Sequence, residues 1–222
     1  MRILKVIRFI IILGISIPVY SGNGVWEGIF DINGHGTYDF TGLINSNDAS
    51  AYTIKAKVVY SGVYKNNNNN FKWNLSMYLK DGTKFGTAEI NGKIIDNNIM
   101  SGKWVTEPAK DYGNIYLVNK KNTILDTGEI INKEWVATQT NIKQKVIIKN
   151  NKILGKDDNN CNYYGTIVPV SKKIYSTNIE IASCGVSDGF YKGMAHIKKE
   201  NKKNILIITG TNKNFSLFML LE

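Results

Sequence analysis

Apolar and polar residues alternate one by one along much of this chain, and that rhythm excludes most folds. In 52–60, Tyr52, Ile54, Ala56, Val58 and Tyr60 fall on one side, with Thr53, Lys55 and Lys57 on the other. In 73–79, Trp73, Leu75, Met77 and Leu79 alternate with Asn74, Ser76 and Tyr78. A period of two is that of a strand with one buried face; no stretch keeps the 3.6-residue period of a helix. Turn-forming pairs punctuate the runs: Asn33-Gly34, Asp81-Gly82, Asn91-Gly92, Asn97-Asn98, Asn150-Asn151 and Asp188-Gly189. The expectation is an all-β protein, an antiparallel meander closed as a barrel or folded as a sandwich.

The chain also repeats itself. Tyr60-Ser61-Gly62 matches Tyr163-Tyr164-Gly165 at an offset of 103, and Asn74–Met77 matches Asn178–Ile181 at 104. Gly86–Ile90 matches Gly193–Ile197 at 107, Ile99–Gly102 matches Ile207–Gly210 at 108, and Val25-Trp26 recurs loosely as Glu134-Trp135. The order is kept while the offsets drift, as loop insertions would produce. Two tandem barrel-like or sandwich-like units of about seven strands are expected, at 22–122 and 123–222, with the boundary near Lys120-Lys121-Asn122.

The opening residues read as a signal peptide, residues 1–21. Arg2, Lys5 and Arg8 precede the apolar run 9–17, Pro18 breaks it, and Val19 and Ser21 occupy the −3 and −1 places of a cut before Gly22. The run is shorter than the roughly 20 residues of a spanning helix. A periplasmic or secreted protein follows, with no transmembrane anchor after cleavage. In that oxidising setting Cys161 and Cys184, the two cysteines of the chain, are expected to pair. Facing each other, they would centre a hairpin between Lys172 and Lys173. Carried back by the offsets 103 and 104, the equivalent hairpin turns at Asn69, inside the asparagine run 66–70.

The net charge of +10 invites a polyanion partner. Both arginines lie in the signal peptide, however, and arginine is the side chain suited to bidentate phosphate contacts. The lysines are scattered through turns and polar faces, so a solvated surface and no nucleic-acid partner are expected.

Catalytic patterns are lacking. The histidines are His35, in a Gly-His-Gly turn, and His196, on the polar face of a strand. Neither makes a triad or a zinc set, and both are expected at the surface. Asp157-Asp158-Asn159-Asn160 lacks the ligand spacing of a calcium loop and reads as a turn. No metal or cofactor is expected. Trp26, Trp73, Trp104 and Trp135 remain as the ligand-binding set, although Trp26 and Trp135 open their units and suit core plugs.

Gly24-Val25-Trp26 resembles the Gly-x-Trp opening of lipocalins and their calycin relatives, and Asp111-Tyr112 with Tyr116 is similar to a second lipocalin motif, one residue out of spacing. The late-strand arginine and C-terminal helix of that family have no counterpart. The resemblance spans residues 24–116 at most and implies a barrel closed by Trp26 around a small apolar ligand. As a whole the chain resembles small exported β-proteins of bacteria with a paired-cysteine C-terminal region. The functional expectation is a non-enzymatic envelope protein binding a small ligand or an envelope protein. The alternative is a periplasmic inhibitor or immunity-type protein that blocks a toxin or cell-wall hydrolase.

Overall fold

The computed structural model describes residues 22–79, 81–120, 131–139, 142–171 and 173–222. The expected signal peptide, residues 1–21, and the expected boundary at Lys121-Asn122 lie outside these residues. Among the described residues alternation produces sixteen strands, eight in each half rather than about seven. In the first half these are β1 (Gly24–Ile32), β2 (Gly36–Asn45), β3 (Asp48–Thr53), β4 (Val58–Asn67), β5 (Asn70–Tyr78), β6 (Lys84–Ile95), β7 (Ile99–Glu107) and β8 (Tyr112–Asn119). Each pairs antiparallel with the next, and β8 returns to β1 from Trp26↔Asn119 to Phe30↔Ile115, closing a barrel.

The second half repeats the meander with β9 (Glu134–Gln139), β10 (Ile142–Lys149), β11 (Lys152–Asp157), β12 (Asn162–Pro169), β13 (Tyr175–Ala182), β14 (Gly189–Glu200), β15 (Lys203–Thr211) and β16 (Ser216–Leu221). Its edges meet through two reciprocal backbone bonds, Val136 N–H to Glu222 O (3.0 Å) and Glu222 N–H to Val136 O (2.9 Å). Asparagine supplies many of the turns: Asn150 and Asn151 both have positive φ, as do Asp96 and Asn97. Two consecutive left-handed residues match the twist of a tight hairpin.

Each barrel is filled from inside by alternate residues. Trp26, Trp73, Leu75 and Met100 fill the first; Trp135, Val146, Ile167 and Met219 fill the second. Lysines and asparagines turn outward, the reverse of a barrel that faces lipid around a polar lumen. Among the described residues no helix is long and apolar enough to cross a membrane. The two tryptophans that open the units are built alike. Trp26 Nε1 donates to Gly22 O (2.7 Å) and Trp135 Nε1 to Ile131 O (3.0 Å), four residues back in both cases.

Three local expectations are corrected. The run 52–60 is two strands, because the backbone N–H groups of Ile54 and Lys55 donate to the Asp39 carboxylate (2.6 and 2.8 Å) and the chain reverses at 54–57. Asn91-Gly92 is not a turn. Gly92 lies inside β6 opposite Gly102, where a Cβ would meet the Gly102 Cα at 2.7 Å, so glycine serves close strand approach. The cysteine hairpin is present one residue out of register. Asn162 pairs with Ala182, the cysteines flank that pair, and the ladder ends at Pro169↔Tyr175, so no two-residue turn joins the strands; Lys172, one of the two residues at the expected centre, lies outside the described residues. The equivalent first-half hairpin turns between Asn68 and Asn69. The disulfide itself is formed, with Cα atoms 4.7 Å apart.

The barrels meet along β3 and β14–β16. Val25 and Leu43 pack with Ile174 and Met194, and Tyr52 packs with Ile205 and Ile207. The Ser50 and Thr209 hydroxyls lie 2.7 Å apart, and Ser216 N–H donates to Gly82 O (2.8 Å). His196 is here, 2% exposed rather than at the surface. It does point away from the core of its own barrel, but the first barrel covers that face. His35 is exposed in the β1–β2 turn.

Candidate functional site

The end of the first barrel near Trp26 is sealed by that ring and its bond to Gly22. At the opposite end, where β1 passes to β2 and β7 to β8, the wall opens on an apolar pocket of about 140 Å³. Phe30, Phe40, Tyr60, Met77, Ala88 and Trp104 line it. They come from six different strands, each as the inward member of its alternation.

The aromatic rings brace one another. Phe30 meets Trp104 edge-on at 5.4 Å and Phe40 at 6.1 Å, and Phe40 lies 5.5 Å from Tyr60. Trp104 Nε1 donates to Asp31 O (2.9 Å), which leaves its ring face as the part it offers inward. Burial, with Asp39 a lesser cause, holds the Tyr60 hydroxyl above its usual range, so it stays neutral. Polar character enters at the rim. Asp111 is the one carboxylate among the lining residues, and its backbone N–H donates to Thr106 Oγ1 (3.1 Å).

Of the four expected ligand-binding tryptophans, Trp104 lines this pocket. Trp26, Trp73 and Trp135 are fully buried core side chains and present no face to a ligand. Among the described residues Trp73 Nε1 has no hydrogen-bond partner, and neither does Thr177 Oγ1 at the matching place of the second barrel. Phe30, Phe40, Phe85 and Tyr60 join Trp104 in the lining, and only strand closure brings them together.

A larger open hollow of about 850 Å³ lies outside the barrel wall near the asparagine run, among Asn47, Asn66, Asn67, Lys72 and Asn91. Its lining is mainly asparagine and lysine side chains around Phe71 and Gly92, and it is open to solvent. The Asp157 turn is occupied by its own chain: Oδ1 accepts from Asn159 and Cys161 N–H (2.9 and 3.0 Å), and Oδ2 from the Tyr163 hydroxyl (2.8 Å). Among the described residues no group of three or more metal-ligating side chains converges. No protein-family model, curated protein or solved structure matches the chain, so the fold and the pocket stand on their own geometry.

Proposed function

We propose that this chain is an exported, non-enzymatic binding protein of the bacterial envelope, whose small apolar ligand enters the open end of the first barrel. The aromatic pocket carries this reading. An apolar cavity of roughly 150 Å³ takes a benzene-sized guest, so the ligand, or the part of it held inside, is a single ring or a short branched chain. The disulfide suits an extracytoplasmic location.

Titration with toluene, phenol and indole, followed by amide NMR shifts, tests the reading. Saturable shifts confined to the pocket are expected, together with their loss in Ala88→Leu, which fills it. Absence of saturation with every ring-sized probe would overturn it, as would binding unchanged by Ala88→Leu.

A second reading, a blocker of an envelope enzyme, is favoured by one feature. Val186, in the turn at 185–187, and Phe190, at the start of β14, are 82% and 75% exposed beside the disulfide, where the Asp188 carboxylate accepts from Cys184 N–H (2.6 Å). A braced turn and strand start with protruding apolar side chains suit insertion into a cleft. Capture of one stoichiometric enzyme that Val186→Asp and Phe190→Asp abolish would select this reading.

A further inference from the structure

The positive charge lies almost wholly on one barrel. Residues 131–222 hold fourteen lysines against seven acidic residues, a net +7; residues 22–120 hold ten against nine, a net +1. Strand register then gathers lysines that are apart in sequence. On the outward face of β10 and β11, Lys145 sits opposite Lys156 and Lys149 opposite Lys152. Between these pairs Ile147 sits opposite Leu154, and Leu154 opposite Tyr164 on β12. These three are 40%, 54% and 45% exposed.

Like charges placed directly across a ladder repel. Lys145 is relieved by Glu134 at 2.8 Å, while Lys149, Lys152 and Lys156 form no ion pair among the described residues. The face also lies away from the other barrel. β11 is four strands from β15, which packs against the first barrel.

We infer that this face docks on an anionic phospholipid surface. Lysine pairs flanking an apolar row match the two layers of such a surface: headgroup charge outside, acyl boundary beneath. The apolar row is what favours lipid over a soluble polyanion, which would leave it uncovered. Residues 22–222 contain no arginine, which fits as well, since bidentate phosphate recognition needs its planar fork while a charged bilayer is met by point charges. The inference is independent of the barrel-mouth ligand.

The test is cosedimentation of the full two-barrel chain with vesicles of phosphatidylcholine mixed with phosphatidylglycerol, against phosphatidylcholine alone. Binding to the mixed vesicles only, weakening with salt, is expected. Lys149→Gln, Lys152→Gln and Lys156→Gln should each weaken it about fivefold. A Leu154→Ser/Tyr164→Ser variant should also bind the vesicles less, yet bind soluble polyphosphate as the parent does. Circular dichroism melts identify any variant that has lost its fold; each lysine lies on an exposed face, so the three Gln variants serve if the apolar pair does not. No preference for the charged vesicles would overturn the inference. So would lysine variants that bind like the parent. If the folded Leu154→Ser/Tyr164→Ser chain keeps full vesicle binding, the face is a plain polyanion site and the lipid assignment falls.

Discussion

Two solutions to one packing problem are visible at Gly42 and Trp73. Gly42 pairs with Trp26 and Val146 with Trp135, while Trp73 pairs with Tyr64 and Thr177 with Ile167. The first barrel thus sets a glycine and an indole where the second sets a valine and a threonine. A Cβ at Gly42 would stand 2.3 Å from Trp73 Cη2, so the glycine is there to admit the ring. Gly42→Val should cost about 1–3 kcal/mol by overpacking, and Trp73→Thr about 3–5 kcal/mol by leaving a cavity. The double variant, which copies the second barrel, should cost clearly less than the two together, as contacting sites do. Urea unfolding of the four proteins measures this, and strict additivity would refute the paired packing. Trp73 itself was legible as an inward residue from alternation. Its dependence on Gly42 was not, because thirty-one residues separate them in the chain.

The β12–β13 hairpin shows what a crosslink adds to an element. Its register runs from Asn162↔Ala182 to Pro169↔Tyr175, and the disulfide closes the open end across a sequence separation of 23. The Asp157 carboxylate holds the Cys161 N–H at one side, and Asp188 holds the Cys184 N–H at the other. A loop of that length contributes about 3 kcal/mol in the chain-entropy view. Cys161→Ser/Cys184→Ser should therefore lower the urea-derived stability by about that amount while keeping the far-ultraviolet spectrum of a folded β protein. A loss near zero would show that the strand ladder alone sets the hairpin. This element was the most legible in the sequence: repeat offsets and two cysteines located it to within one residue. The residual error arose because a disulfide joins residues beyond the ladder as readily as within it.

Across the whole molecule the interface between the barrels turns polar outward faces into interior. His196 Nε2 lies 2.9 Å from the Tyr52 hydroxyl, with the rings stacked at 5.8 Å. Burial, and then Lys198, push the imidazole down from its ordinary 6.5 to about 3. It is neutral in the folded state, and burial keeps Tyr52 protonated, so the hydrogen bond between them joins two uncharged groups. The unfolded chain takes up a proton at His196 from about pH 6.5 downward and the folded protein only near 3. Stability from this residue is complete above pH 6.5 and falls as pH drops through that window, by up to about 1.4 kcal/mol per pH unit. Urea unfolding at pH 7, 5.5 and 4 should show the decline, and His196→Gln should flatten it. An equal slope in the variant would place the acid sensitivity elsewhere. Alternation, turn residues and repeat offsets determined, from the sequence alone, the β class, the tandem pair of units and the cysteine hairpin, because these depend on periods of a few residues or on a chain compared with itself. Which outward faces became interior, which aromatics met at the barrel mouth and which lysines came to stand side by side were decided only by closure and docking. Those contacts join residues tens to more than a hundred positions apart, and no local rhythm encodes them.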